Sequence, residues 1–462
     1  MLRTKAVITP SFWEAFLLVV AIVATISVSI IKFGATPHMP ILLSVLLLIL
    51  YGLFKKVSYK DVESGLVEGA GAGMSAVFLF FFIGILVSTW IMSGTIPTLI
   101  YAGFQIVTPT YFFAIIFVVT AIVGVAVGSS LTTVATVGVA FIGMATVLDV
   151  SLPIAAGAIV SGAFFGDKMS PLSDTTNLSA SIVGTDLFEH IRNMGWTTFP
   201  AFGITLVLFG ILSPKINAVD DGKITAFQEG LLQTDLIHWY TMIPLIVLFM
   251  LTMMKVPAMM TLAASSLSAI LITYFHHSPS MSEVFGVMFG GYTSTTGIEE
   301  IDALLMRGGM ESMMFTISLV LLALSMGGLL FKLGIVQRLL SAVENALKKV
   351  SSVIAASALT AISINILIGE QYLSILLTGQ AFQTQYEKVG LAGKNLSRVM
   401  EDAGTVVNPL VPWSVCGIFI SGMLGVPVLD YLPFAFFCLL SPVLTVLFGY
   451  MGKTLTFVKA VK

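Results

Sequence analysis

Charged residues are scarce in this chain, 10% of 462, against 57% hydrophobic. A soluble domain carries roughly a quarter charged residues, so this chain has too little polar surface to cover itself in water. Cysteine is nearly absent. Cys416 and Cys438 stand in separate apolar stretches, which excludes a disulfide framework and a thiolate metal site and reads both as small buried hydrophobes. The histidines are His38, His190, His238, His276 and His277, each read as lying at the edge of an apolar segment. That argues against a histidine metal cluster and against a histidine proton relay. A net charge of −2 offers nucleic acid no basic face. A signal peptide is not expected either: the apolar run after Arg3 and Lys5 is too long for one, and no small-residue cleavage site follows.

What the chain does have is long apolar runs. About 20 such residues cross a hydrocarbon core of roughly 30 Å. Candidates are Phe12 to Ile31, Pro40 to Phe54, Met74 to Met92, Tyr111 to Val127, Leu152 to Phe165 and Met194 to Leu212. Beyond a polar loop from Ser213 to Leu236 come Trp239 to Met254, Pro257 to Phe275, Met310 to Phe331, Ser352 to Ile368, Trp413 to Met423 and Leu429 to Met451. Shorter pieces beside Gly and Ser (Ile96 to Val107, Leu131 to Leu148, Ile335 to Leu347) read as re-entrant hairpins. The expected fold class is therefore all-α, a polytopic membrane protein with interrupted helices. Aromatics and the 23 methionines are read as lipid and helix contacts. Arg3 and Lys5 precede the first run, Lys55, Lys56 and Lys60 follow the second, and Lys453, Lys459 and Lys462 end the chain. By the positive-inside rule both termini are cytoplasmic, with the loop carrying Asp220, Asp221, Glu229 and Asp235 outside.

The chain also repeats itself. Thr120-Ala121-Ile122 leads to Gly128-Ser129-Ser130, and about 240 residues later Thr360-Ala361-Ile362 leads to Gly369-Glu370-Gln371. Met74 opens an apolar helix after a Gly cluster, as does Met310 to Met313 after Gly308 and Gly309. The break Ser173-Asp174-Thr175-Thr176-Asn177 is matched to Gly404 to Asn408. This divides the chain into N-terminal spans 1–57, a first repeat 58–213, linker spans 214–297 and a second repeat 298–462. Paired repeats with interrupted helices point to a transporter site.

Chemistry concentrates at two breaks. In the run from Gly162 to Asn177, Pro171 lacks an N–H and drives Ser170 out of helical geometry. Freed carbonyls, Asp167, Ser173, Asp174, Thr175, Thr176 and Asn177 together supply oxygen for a hard cation such as Na+, with Asp174, Thr175 and Asn177 as the ligand set. Lys168 is a candidate partner for Asp167. The second break, Arg398 to Trp413, offers Asp402, Thr405 and Asn408. Carboxylates at membrane depth cost about 2.5 to 3.5 kcal/mol, so retaining them implies water, a cation or a proton. Glu401, at helical spacing from Arg398, reads equally well as a surface ion pair. Ser129 and Ser130 at one hairpin tip and Glu370 at the other are candidate substrate contacts. Asn365, inside an apolar stretch, reads as glue between helices.

The GDKMSPLSDTTN run resembles the NhaC family of bacterial Na+/H+ antiporters. The likeness extends over nearly the whole chain, through its length, span pattern and second break. It implies two inverted repeats with re-entrant hairpins, often dimers moving by an elevator, with Na+ and H+ as cargo and no cofactor. Relatives within that family exchange malate and protons for lactate and sodium. The expected function is Na+/H+ exchange by competition at buried carboxylates, in a protein whose surroundings are membrane lipid. Organic-anion exchange stays open as the alternative, a small dicarboxylate meeting Lys168 or Arg398. An intramembrane aspartyl protease lacks its second motif and a zinc enzyme its HExxH, so no enzyme is expected. A passive channel is the remaining alternative.

Overall fold

The computed structural model describes residues 6–106, 110–214, 221–294, 296–298, 301–302, 305–344 and 349–458. Arg3, Lys5, Asp220, Lys459 and Lys462, on which much of the topology reading rests, lie outside the described residues, as do Val107 and the end of the Ile335 to Leu347 run. Helix α1 (Phe12–Phe33) starts at a capping box between Ser11 and Glu14 and stops at Gly34 in the left-handed region. Helices α2 (His38–Phe54) and α3 (Tyr59–Ala72) follow. Leu17, Ile31, Leu50 and Phe54 are exposed on α1 and α2, a display of large apolar side chains that only lipid accommodates. Among the described residues six helices are long and apolar enough to cross a bilayer, or up to eight counting two bent pairs. The molecule is a multi-pass membrane protein.

The first half continues with α4 (Met74–Met92), α5 (Thr95–Ile106), α6 (Phe112–Val127), α7 (Ser130–Val147), α8 (Leu152–Met169), α9 (Asp174–Ile182) and α10 (Leu187–Leu212). Between the halves lie α11 (Asp221–Gln233), α12 (Trp239–Met253), α13 (Ala258–Thr273) and α14 (Met281–Gly290). The expected polar loop thus contains a helix. The second half holds α15 (Glu311–Lys332), α16 (Ile335–Glu344), α17 (Val350–Ile368), α18 (Gln371–Lys388), α19 (Gly393–Leu410), α20 (Val415–Leu424), α21 (Val428–Phe434) and α22 (Phe436–Met451). Helix α7 is the centre of the molecule, with 89% of its apolar window buried by protein.

The paired sequence motifs share backbone detail. Gly94 and Gly334 turn between α4 and α5 and between α15 and α16, both at positive φ. Gly128 (φ 69°) and Gly369 (φ 75°) end α6 and α17, each followed by an extended residue that caps the returning helix. Ser129 Oγ accepts from the Thr132 N–H at 3.3 Å, and Glu370 Oε2 from the Leu373 N–H at 2.7 Å. Each tip rests on a helix break of its own half. A Cβ on Gly128 would stand 2.6 Å from that of Leu172, and one on Gly369 3.0 Å from the Trp413 carbonyl oxygen.

The first break falls where Pro171 places it: α8 ends at Met169, Ser170 is extended, and α9 restarts after Ser173 as N-cap. The second is a correction. Gly404 and Asn408 do not interrupt the helix, because a π-helical turn over Met400–Thr405 and a 3-10 turn over Asn408–Leu410 carry α19 on to Leu410. Pro409 is tolerated in the first turn of that 3-10 segment. The chain breaks at Val411, extended before Pro412. The counterpart of Ser170-Pro171 is therefore Val411-Pro412, and the match of Ser173–Asn177 to Gly404–Asn408 is withdrawn.

Helices α6 and α8 approach through small residues. A Cβ on Gly166 would lie 2.4 Å from Gly124 Cα, and one on Gly162 would lie 2.0 Å from Thr120 Oγ1. Backbone cannot yield as a side-chain tip can, so Gly166→Ala is expected to cost about 1–3 kcal/mol and to lower the thermal midpoint of the detergent-solubilised protein. Gly210→Ala on α10, where nothing lies within 4 Å of the new methyl, is the control and should leave it unchanged or slightly raised. Equal midpoints for the two variants would refute the tight crossing.

Candidate functional site

The unwound turn between α8 and α9 faces a cavity of about 530 Å³. Its wall includes the first hairpin tip (Gly128 to Thr132), Asp167, Asp174, Thr175 and Asn177, the α12–α13 turn at Lys255, and Gln371 and Tyr372 from the second tip. Asp167 is 5% exposed. It sits in the last turn of α8, where Ser130 reaches it twice: the backbone N–H donates to Oδ2 at 3.2 Å and the hydroxyl at 2.7 Å. The hairpin tip and the acid are thereby one unit. Thr176 Oγ1 donates to the Asp167 and Lys168 carbonyl oxygens at 3.4 and 3.2 Å, replacing donors lost where α8 ends.

Several expectations change here. Asp174 is exposed at the cavity mouth, as the first residue of α9 after its Ser173 cap, where a carboxylate meets the positive end of the helix. It is not a buried acid. Asn177 is exposed too, its amide donating to the Pro171 and Ser173 carbonyls at 3.0 and 2.7 Å. Thr175 is buried, its hydroxyl 3.0 Å from Ser173 Oγ. Asp174, Thr175 and Asn177 thus share one wall with Asp167 and do not form a closed oxygen shell by themselves. Glu370 is half-buried and serves as the cap of α18.

Lys168 does not neutralise Asp167. It is fully buried and donates to Asp402 Oδ1, while Thr197 Oγ1 on α10 donates to Asp402 Oδ2 at 2.8 Å. Adjacent helical residues point in different directions, so Asp167 faces the cavity and Lys168 faces α19. Asp402 is therefore the anchor of an ion pair between the halves rather than an open cation ligand. Asn408 is equally committed: its amide nitrogen donates to Asn365 Oδ1 at 2.8 Å and its oxygen accepts from the Cys416 N–H at 3.0 Å. Asn365 acts as the expected glue, donating to the Gly404 carbonyl at 2.6 Å. Thr405 is buried, its hydroxyl unpartnered among the described residues.

Glu401 and Arg398 are not a surface pair. Both are fully buried; Arg398 Nη1 donates to the Thr454 carbonyl and hydroxyl at 3.1 and 3.2 Å, and Ser179 Oγ donates to Glu401 Oε1 at 2.7 Å. Ser179 and Thr197, which reach across the halves, carry no local sequence signal. His190 lies in the first turn of α10, at a segment edge as expected, and is fully buried there with Ser397 Oγ 2.8 Å from its Nδ1.

The profile of the Na+/H+ antiporter family matches residues 162–453, from the middle of α8 to just past α22. The Na(+)/H(+) antiporter NhaC of Alkalihalophilus pseudofirmus is 41% identical over 437 residues, covering 94% of this chain and 95% of that protein. NhaC of Bacillus subtilis is 39% identical over 422 residues, 90% and 93% of the two chains. A malate-2H(+)/Na(+)-lactate antiporter of Bacillus subtilis is 32% identical over 458 residues, 98% of each.

The Lys168–Asp402 pair predicts strong non-additivity. Lys168→Met or Asp402→Asn alone leaves an uncompensated buried charge and should cost about 3–5 kcal/mol. The double variant removes both charges and should be destabilised by less than the sum, by at least about 1 kcal/mol, in a thermal-denaturation cycle. Additive losses would show the two groups to be uncoupled.

Proposed function

Because this chain belongs to the Na+/H+ antiporter family, we propose that it exchanges Na+ for H+ across the cytoplasmic membrane, with Asp167 as the carboxyl for which the two ions compete. The observation that carries this is a buried acid, tied to a hairpin tip by Ser130, on the wall of a cavity that reaches exposed residues. A bare carboxylate at that depth costs far more than one that holds a proton or is neutralised by a cation. The site is therefore stable when loaded with either ion and unstable when empty. A carrier that reorients only in a stable state exchanges the two and leaks neither.

The cavity supplies the oxygen a hard cation needs. Hydroxyls of Ser129, Ser130 and Thr132 line it beside Asp167, with Thr175 on the facing helix. Asp174 at the mouth adds negative charge where a cation enters. Among the described lining residues Lys255 is the one basic group, and it is exposed. Lys168 and Arg398, the fixed charges a dicarboxylate would want, are buried outside the lining and bonded elsewhere. This favours inorganic cation exchange over organic-anion exchange. The lysine and arginine distribution supports a cytoplasmic side for both termini.

Everted vesicles with a pH-sensitive dye test the assignment. Asp167→Asn is expected to abolish Na+-dependent alkalinisation, at least tenfold. Asp174→Asn should retain exchange with apparent Na+ affinity weakened roughly fivefold, as suits loss of one charge at a wet mouth. Undiminished exchange in Asp167→Asn would remove that residue from the mechanism.

A further inference from the structure

Glu401 is the one fully buried acid whose surroundings the exchange at Asp167 leaves unexplained. It lies in the π-helical turn of α19, a distortion found most often at functional positions. Its Oε1 accepts one hydrogen bond, from Ser179, and its Oε2 is buried with no partner among the described residues. One turn along the same helix the Thr405 hydroxyl is buried and unpartnered, and so is Thr378 Oγ1 on the neighbouring α18. No ion pair described for the molecule includes Glu401.

Most buried charged and titratable groups around it are bonded elsewhere. Lys168 on α8 is held by Asp402 on Glu401's own helix, and Arg398 Nη1 by Thr454, while Arg398 Nε is buried without a partner among the described residues. His190 on α10 is bonded to Ser397, and Tyr386 on α18 to Ser357. Cys438 on α22 is a buried thiol, and α17 carries no titratable side chain. Asp174 on α9 is exposed. Asp167 remains as the other acid without a fixed counter-ion.

A buried carboxylate met only by neutral hydroxyls, that of Ser179 and the nearby one of Thr405, and by no paired cation is several kcal/mol out of balance. Adding a proton corrects this, because it removes the charge and turns the empty Oε2 into a donor, with Thr405 Oγ1 at hand to accept. We propose that Glu401 is a second proton-carrying carboxyl, coupled to the cavity through α9. The coupling runs along one short helix. Its N-terminal end lines the cavity at Asp174 and Thr175, Thr176 holds the backbone of Asp167 and Lys168, and Ser179 holds Glu401. A cation seated at one end acts, through the position of Ser179, on the acid at the other. Glu401–COOH then releases H+ as Asp167 does, and each Na+ is exchanged against two protons.

This inference rests on Asp167 as the primary exchange site, and the experiment separates the two. Purified protein in weak buffer with a pH dye is titrated with NaCl, choline chloride serving as control. The unmutated protein should release about twice as many protons per bound Na+ as Glu401→Gln, which mimics the permanently protonated acid. Glu401→Asp, which keeps an acid, should restore the release. In liposomes a membrane potential should drive exchange by the unmutated protein and not by Glu401→Gln. Equal release and equal response to potential overturn the second site while leaving the first intact. No Na+-linked release from the unmutated protein sinks both. Should Glu401→Gln fail to fold, infrared difference spectra decide: added Na+ should remove two protonated-carboxyl bands from the unmutated protein and none from Asp167→Asn, which cannot seat the cation, and a single band in the former overturns the proposal.

Discussion

An acid inside a membrane protein must never be left bare, and the centre of this molecule is arranged around that requirement. The acids meet it differently. Asp402 is compensated permanently, by the ammonium of Lys168 and the hydroxyl of Thr197. Such a pair cannot exchange ions, because its cation is covalently part of the chain. What it does is hold α8, α10 and α19 in register, so that the two halves meet along a fixed seam. Asp167 is met by neutral donors, the Ser130 hydroxyl and N–H and the nearby Ser173 hydroxyl, which soften a negative charge without cancelling it. It is this incompleteness on which the proposed exchange of a cation for a proton rests. The neighbouring lysine is turned away from Asp167 and bonded to Asp402.

The rigid seam also explains where motion is permitted. The hairpin tips at Gly128 and Gly369 each rest on a break in their own half. Ser130 joins its tip to Asp167, so movement of that tip and any change of charge on the acid are mechanically linked. Helix α9 is short, begins at an unwound turn, and touches both the cavity and the inner face of α19. Short elements flanked by breaks have little of their own backbone hydrogen bonding to lose, which suits them to small adjustments while the long helices stay put.

Much of this was legible in the residues. Hydropathy located the apolar helices to within a few positions, since lipid demands length and apolarity above all else. Pro171 marked the first break and the Gly-led tips marked the two hairpins, because both are backbone constraints written in single residues. Partnerships between distant helices were not legible. Lys168 follows Asp167 in sequence, yet one residue of helix turns a side chain by about 100° and sends the two to different neighbours. Glu401 and Arg398 have the spacing of a surface pair, and spacing is blind to burial. The second break lies within the Arg398 to Trp413 segment, at Pro412; Gly404 and Asn408-Pro409 look like breakers too, but a π turn followed by a 3-10 turn absorbs them.

The two hairpin-and-break segments differ in the residue that precedes the break. At the offset that relates Gly128 to Gly369 and Pro171 to Pro412, Asp167 falls on Asn408. Both precede a break by a few residues, and both are met from the hairpin helix of their own half, Asp167 by Ser130 and Asn408 by Asn365. The difference is chemical. Asn408 is neutral and satisfied from both ends, its amide donating to Asn365 and its oxygen accepting from the Cys416 N–H. A second carboxylate at that position would either need a fixed cation, as Asp402 has, or become a competing ion site within the same protein core. An amide of the same shape keeps the backbone geometry of the repeat without either consequence. The hairpin and the break thus recur, while the acid that precedes the break does not.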